Sequence, residues 1–160
     1  MSLSSFAVPR EERFFEDYVP GATYEFAESV SLGEEEIIAF AREYDPQYFH
    51  VDPDLAAQSI YKGLIASGGQ TICVALRIYV RNVLPEGRAS LGSPGMDEIR
   101  WLFPVRPGDT LRMRVSVLQA EPSKSRPDRG TVSFFCELLN QNDEVVMTCK
   151  CRNIVLKRNV

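Results

Sequence analysis

Ser67-Gly68-Gly69-Gln70-Thr71-Ile72-Cys73-Val74-Ala75-Leu76-Arg77-Ile78-Tyr79-Val80-Arg81-Asn82-Val83 is the stretch from which the fold is read. Its apolar positions Ile72, Cys73, Ala75, Leu76, Tyr79, Val80 and Val83 recur at threes and fours, the period of an α-helix. Their small, apolar character predicts the longest helix of the chain and a nearly buried one. Ser67 is placed to cap its start, and Pro85-Glu86-Gly87 closes it. A helix of this kind needs something apolar wrapped around it, and the flanking sequence supplies it.

Downstream, everything reads as strand. Residues 88–91 and 96–103 form the first strands, interrupted by Gly92-Ser93-Pro94-Gly95, and a turn follows at Pro104, Pro107 and Gly108-Asp109. From 111 to 118 the alternation is nearly perfect, with Leu111, Met113, Val115 and Val117 facing in and Arg112, Arg114 and Ser116 facing out. Residues 121–129, with two prolines and several charges, predict a mobile loop. Strands at 131–139 and 145–156 are joined by Asn140-Gln141-Asn142-Asp143, and the last three strands predict an antiparallel meander. Upstream, 23–32 predicts a strand with Tyr24, Phe26, Val30 and Leu32 inward. Acidic Glu34-Glu35-Glu36 opens a short helix ending near Tyr44. The order implies an α+β fold, one antiparallel β-sheet wrapped around one long central helix. The expected organisation is a flexible N-terminal arm at 1–12 and a single domain at 13–160.

Bulk composition narrows the function. A chain of 160 residues with net charge −4 and dispersed basic residues predicts no nucleic-acid partner. No apolar run reaches the length of a membrane span, so no membrane partner is expected, and residues 1–10 lack the order of a signal peptide. Four cysteines without a C-x-x-C, beside a single histidine, give no zinc-ligand set. All four are expected to be small buried hydrophobes in a reducing, cytoplasmic setting, with no metal.

The chemistry concentrates between the two helices, in Tyr44-Asp45-Pro46-Gln47-Tyr48-Phe49-His50-Val51-Asp52-Pro53. The proline after Asp45 ends the first helix. An aspartate and the chain's only histidine on one stiffened loop are the groups a water-activating acid/base pair needs. Asp52-Pro53 is expected to start the next helix and is given no chemical role. Gln47 either orients Asp45 or bonds the loop; Ser67 caps the helix or touches substrate, the cap being the ordinary reading. Tyr44, Tyr48 and Phe49 read as packing or tunnel walls.

With these pieces in place the sequence resembles the MaoC-like dehydratases, including the (R)-specific enoyl-CoA hydratases, which have the hot-dog fold. The resemblance covers roughly residues 20–157. Residues 45–52 resemble the family's D-x-N-P-x-H-x-D loop, with Gln47 where asparagine is usual and the proline at Pro46 instead of after the amide. The family's central-helix glycine, whose N–H holds the thioester carbonyl, falls on Gly68, and residues 104–109 match the turn before its long central strand. The resemblance implies reversible addition of water to a 2-enoyl thioester, Asp45 and His50 catalytic, Gly68 the oxyanion donor, and Gln47 and Ser67 supporting them. It also implies an acyl-CoA substrate with no cofactor beyond the coenzyme A of that thioester, and a homodimer or dimer-based oligomer. A hot-dog thioesterase and a non-catalytic acyl-thioester binding subunit are the alternatives.

Overall fold

The computed structural model describes residues 5–158; the outermost residues of the expected arm, 1–4, and of the expected domain, 159–160, lie outside the described residues. In chain order come β1 (Thr23–Ser31), α1 (Glu34–Tyr44), α2 (Tyr48–Val51), α3 (Pro53–Gln58), α4 (Gly68–Asn82), β2 (Gly95–Trp101), β3 (Thr110–Pro122), β4 (Arg129–Leu139) and β5 (Val145–Leu156). The five strands form one sheet in the order β1-β3-β4-β5-β2, with every neighbouring pair antiparallel. This is the α+β, sheet-around-helix arrangement of the hot-dog fold.

The period-two pattern of β3 does what it predicts. Leu111, Met113, Val115 and Val117 are buried, and β4 and β5 present Val132, Phe134, Cys136, Leu138, Met147, Cys149, Cys151 and Val155 to the same core. Onto this surface α4 lays Val74, Ala75, Ile78 and Tyr79. The Tyr79 ring meets Phe134 edge-on at 5.6 Å. Its hydroxyl donates to Asn153 Oδ1 at 2.7 Å, so a buried polar group is satisfied instead of orphaned. Outside the sheet, Arg114 forks onto both carboxylate oxygens of Glu137 at 2.7 and 2.9 Å, a bidentate pairing across β3 and β4.

Four expectations change. The arm is packed, not loose, from Phe6 onward. Phe6 stacks on Tyr24 with ring centroids 3.8 Å apart, and the Arg13 guanidinium lies 3.7 Å over Phe6. Arg13, only 4% exposed, donates to the carbonyls of Asn82 and Val83, each at 2.8 Å. A cation there satisfies the last-turn carbonyls of α4 and suits the negative end of its dipole. Residues 88–91 are not a strand: Gly87–Ala89 is a 3₁₀ turn and Ser90 makes a single bridge to Val155. The mobile loop is shorter than expected, because Glu121 and Pro122 still pair with Thr131 and Gly130. Finally, α4 is not buried all round. Cys73, Leu76 and Val80 form an exposed stripe, because the sheet covers one side of the helix and α1 another, leaving the third open.

The seam between the N-terminal segment and β4 tests the packing. A Cβ on Gly130 would lie 2.2 Å from the Phe15 ring, closer than atoms can pack, and Phe15 is itself buried. Gly130→Ala should therefore destabilise the fold by about 1–3 kcal/mol through overpacking, read as a lower midpoint in urea denaturation. An unchanged midpoint would mean the segment yields freely.

Candidate active site

Helix α1 stops at Tyr44 because Asp45 precedes proline, and Asp45 takes up φ −154°, ψ 68°. That conformation turns its carboxylate back over the start of α4. Three groups meet it. The Ser67 hydroxyl donates to Oδ2 at 2.7 Å, Gln47 Nε2 donates to Oδ1 at 2.8 Å, and His50 Nε2 lies 3.3 Å from Oδ2. The hydrogen bonds from Ser67 and then Gln47 hold the Asp45 carboxyl below its usual range, with His50 adding a smaller pull against the opposing effect of burial.

His50 sits on the single turn of α2 and is 4% exposed. Its Nδ1 is 2.8 Å from the carbonyl of Ile65. A carbonyl only accepts, so Nδ1 carries the proton and, in the neutral ring, Nε2 presents a lone pair toward Asp45. The Ile65 backbone is held in turn by its N–H on the carbonyl of Phe49 at 3.2 Å. The extended, buried segment of Leu64, Ile65 and Ala66 is thus the rail that fixes the imidazole.

Ser67 caps α4, accepting from the Gly69 N–H at 3.2 Å while donating to Asp45. It performs the cap and the support together. Gly68 is the first residue of α4; among the described residues its N–H donates to none, and it opens into a cleft of about 600 Å³ with Asp45, Gln47 and His50. A free N–H at a helix N-terminus, with the dipole behind it, is an anion donor. Asp52 stays out of the cleft: its Oδ1 accepts from the N–H groups of Asp54 and Leu55, both at 3.0 Å, and caps α3.

Sequence reasoning misses Trp101. The chain's only tryptophan lies against Gly68, where an added Cβ would come within 2.8 Å of the indole, and its Nε1–H donates to the Gly68 carbonyl at 3.2 Å. With Leu102 and Phe103 it walls the cleft opposite the helix end, and all three are about half exposed. In the sequence Trp101 falls inside the expected strand 96–103, and no local signal marks its place over Gly68. Phe49 is a cleft wall as expected, whereas Tyr44 and Tyr48, though largely exposed, pack their rings against Phe40 and Phe49.

Comparison with known proteins bears on the family and the fold. Residues 16–133 match the family described as the MaoC like domain. The crystal structure of a MaoC-like dehydratase from Rhodospirillum rubrum superposes with a TM-score of 0.84 at 38% identity, covering 92% of this chain and 99% of that one. YdeM of Bacillus subtilis is 28% identical over 130 residues, 81% of this chain and 89% of its own. The 3-hydroxyacyl-thioester dehydratase Z of Mycobacterium tuberculosis is 28% identical over 110 residues, 68% of this chain and 73% of its own. A family match running through most of the chain, on a sheet and central helix of the same architecture, makes this protein a member of the MaoC-like domain family, which includes dehydratases and hydratases.

Proposed function

We propose that this member of the family is an acyl-CoA hydro-lyase that adds water to a 2-enoyl thioester and removes it from the 3-hydroxyacyl product. The observation that carries the reading is the convergence, in one cleft, of the Asp45–His50 pair at 3.3 Å and the free Gly68 N–H. With Asp45 ionised and His50 neutral, Oδ2 and Nε2 are both acceptors, and one water can donate to both. A carboxylate held below its usual range is a weak base, which leaves the Nε2 lone pair to take the proton as the water oxygen bonds to Cβ. The displaced electron pair moves onto the thioester oxygen, where the Gly68 N–H meets it. The proton then returns from the pair to Cα, so one water is consumed and the enzyme is restored. Asp45 stabilises the transient imidazolium and orients the ring.

A second copy of the chain completes the proposal. The open stripe of Cys73, Leu76 and Val80 on α4 and the apolar run Trp101-Leu102-Phe103 at the end of edge strand β2 lie on the uncovered side of the molecule. A homodimer joined there hides both. Val80→Glu should shift sedimentation from a dimer to a monomer; a wild-type monomer at micromolar concentration would overturn the pairing.

The activity is tested by loss of crotonyl-CoA absorbance and by a panel of longer enoyl-CoAs. Asp45→Asn and His50→Ala should each lower kcat/KM by about 10²–10⁴ with the circular dichroism spectrum of the folded protein retained, while loss of the buried imidazole or of the stabilised carboxylate lowers the melting temperature. No turnover with any member of the panel would sink the reading, and release of free thiol instead would replace it with a thioesterase. The carboxylate is tested separately by carbon-13 NMR titration. Asp45 should titrate below the ordinary value of about 3.9, and Ser67→Ala should raise it. A depressed folded-state pKa adds stability above the unfolded value that is lost as pH falls through the folded one. The stability gap between wild type and Ser67→Ala should accordingly narrow on acidification below the ordinary carboxylate range. A Ser67→Ala carboxyl that titrates where the wild type does would refute the assigned hydrogen bond.

A further inference from the structure

Strand register gathers what sequence spacing keeps apart. Cys136 on β4 is the direct partner of Cys149 on β5, and Cys151, two residues on, points to the same face. All three are buried, at 1–3% exposure. The sulfurs of Cys136 and Cys151 are 3.9 Å apart and those of Cys149 and Cys151 are 3.8 Å apart, with all three Sγ atoms within 4.8 Å of one another. Three sulfurs bonded to one ion in a plane, at a metal–sulfur distance of about 2.3 Å, stand about 4.0 Å apart. Two sides of that triangle are already built. The gap beside them, under Ala75 and Tyr79 of α4 and flanked by Met96 and Met113, is too narrow for a water molecule. An ion centred among the sulfurs needs none of that space.

We infer that Cys136, Cys149 and Cys151 form a trigonal thiolate site for a soft monovalent cation, for which copper(I) is the probe. Thiolates and thioethers select soft ions, and Met96 and Met113 extend the sulfur lining on either side. The Tyr79 hydroxyl, the nearby oxygen, is already committed to Asn153. Each cysteine binds as its thiolate and gives up its proton on loading, so uptake is coupled to proton release and is weakened by acid. Access runs through a surface cleft lined by Met96, Cys151, Leu76 and Val80. Leu76 and Val80 also belong to the face assigned above to a second copy, so loading is favoured before the copies close or as the chain folds.

Reduced protein is incubated natively with copper(I) bicinchoninate, and a parallel sample is refolded in its presence. One equivalent should be withdrawn from the chelator in at least one arm, and X-ray absorption should give three sulfurs at about 2.3 Å. Uptake should persist in Cys73→Ser, since that thiol lies exposed on α4. Cys149→Ala and Cys151→Ala should each weaken binding by more than the roughly 10–100-fold that loss of an outer partner costs. Wild-type protein needs no substitution to fail the test: no uptake in either arm, or fewer than three sulfurs on the ion, would overturn the site, as would loss of binding in Cys73→Ser.

Discussion

The need to bury α4 organises the molecule. A helix carrying apolar residues on more than one side cannot be covered by a single flat surface, so the sheet must curl around it and other segments must take what is left. The inward residues of β3, β4 and β5 meet Val74, Ala75, Ile78 and Tyr79. The helix ends are then handled by polar groups from far along the chain. Arg13 and the Tyr18 hydroxyl both donate to the Val83 carbonyl, so the C-terminal end is closed by the N-terminal segment. The opposite end is left open to the cleft, where its unpaired N–H and positive dipole face the candidate substrate. One end of α4 is sealed for stability and the other is free for chemistry.

That free end is joined to the candidate acid/base pair by one hydroxyl. Ser67 accepts from Gly69 and donates to Asp45, so the atom that starts the helix also holds the carboxylate. The candidate oxyanion donor and the candidate acid/base group are therefore fixed relative to one another through adjacent residues. Trp101 closes the arrangement from the other side. Its indole rests where a side chain on residue 68 would have to go, so glycine is required there by contact as well as by the approach of substrate.

Local signals carried most of this into the sequence. Period-two alternation marked β3, the threes and fours marked α4, and Asp-Pro marked both the end of α1 and the start of α3. That Asp45, His50 and Gly68 share one cleft was legible because the first two stand on one short loop and the glycine stands in a motif. What stayed hidden depends on pairing between distant residues. Nothing in the sequence around Arg13 points to the carbonyls of Asn82 and Val83, which lie some seventy residues away until the chain folds. Three cysteines look like scattered core residues until β4 and β5 take their register. The same applies to Trp101, whose place over Gly68 is set by where β2 ends, and to Pro122, whose strand continues because Gly130 lies opposite.

The unusual middle of the loop, Pro46-Gln47, is explained by how the two oxygens of Asp45 divide their partners. Oδ2 faces inward, to Ser67 and His50. Oδ1 faces outward, and an exposed carboxylate oxygen left to solvent would let the group rotate and exchange the two. Pro46 prevents continuation of the helix and sends the chain back, so that Gln47 N–H donates to the Asp45 carbonyl at 2.8 Å. From that position a side chain of glutamine length reaches Oδ1 with its amide. The amide can donate but adds no charge, so it fixes the carboxylate without neutralising it.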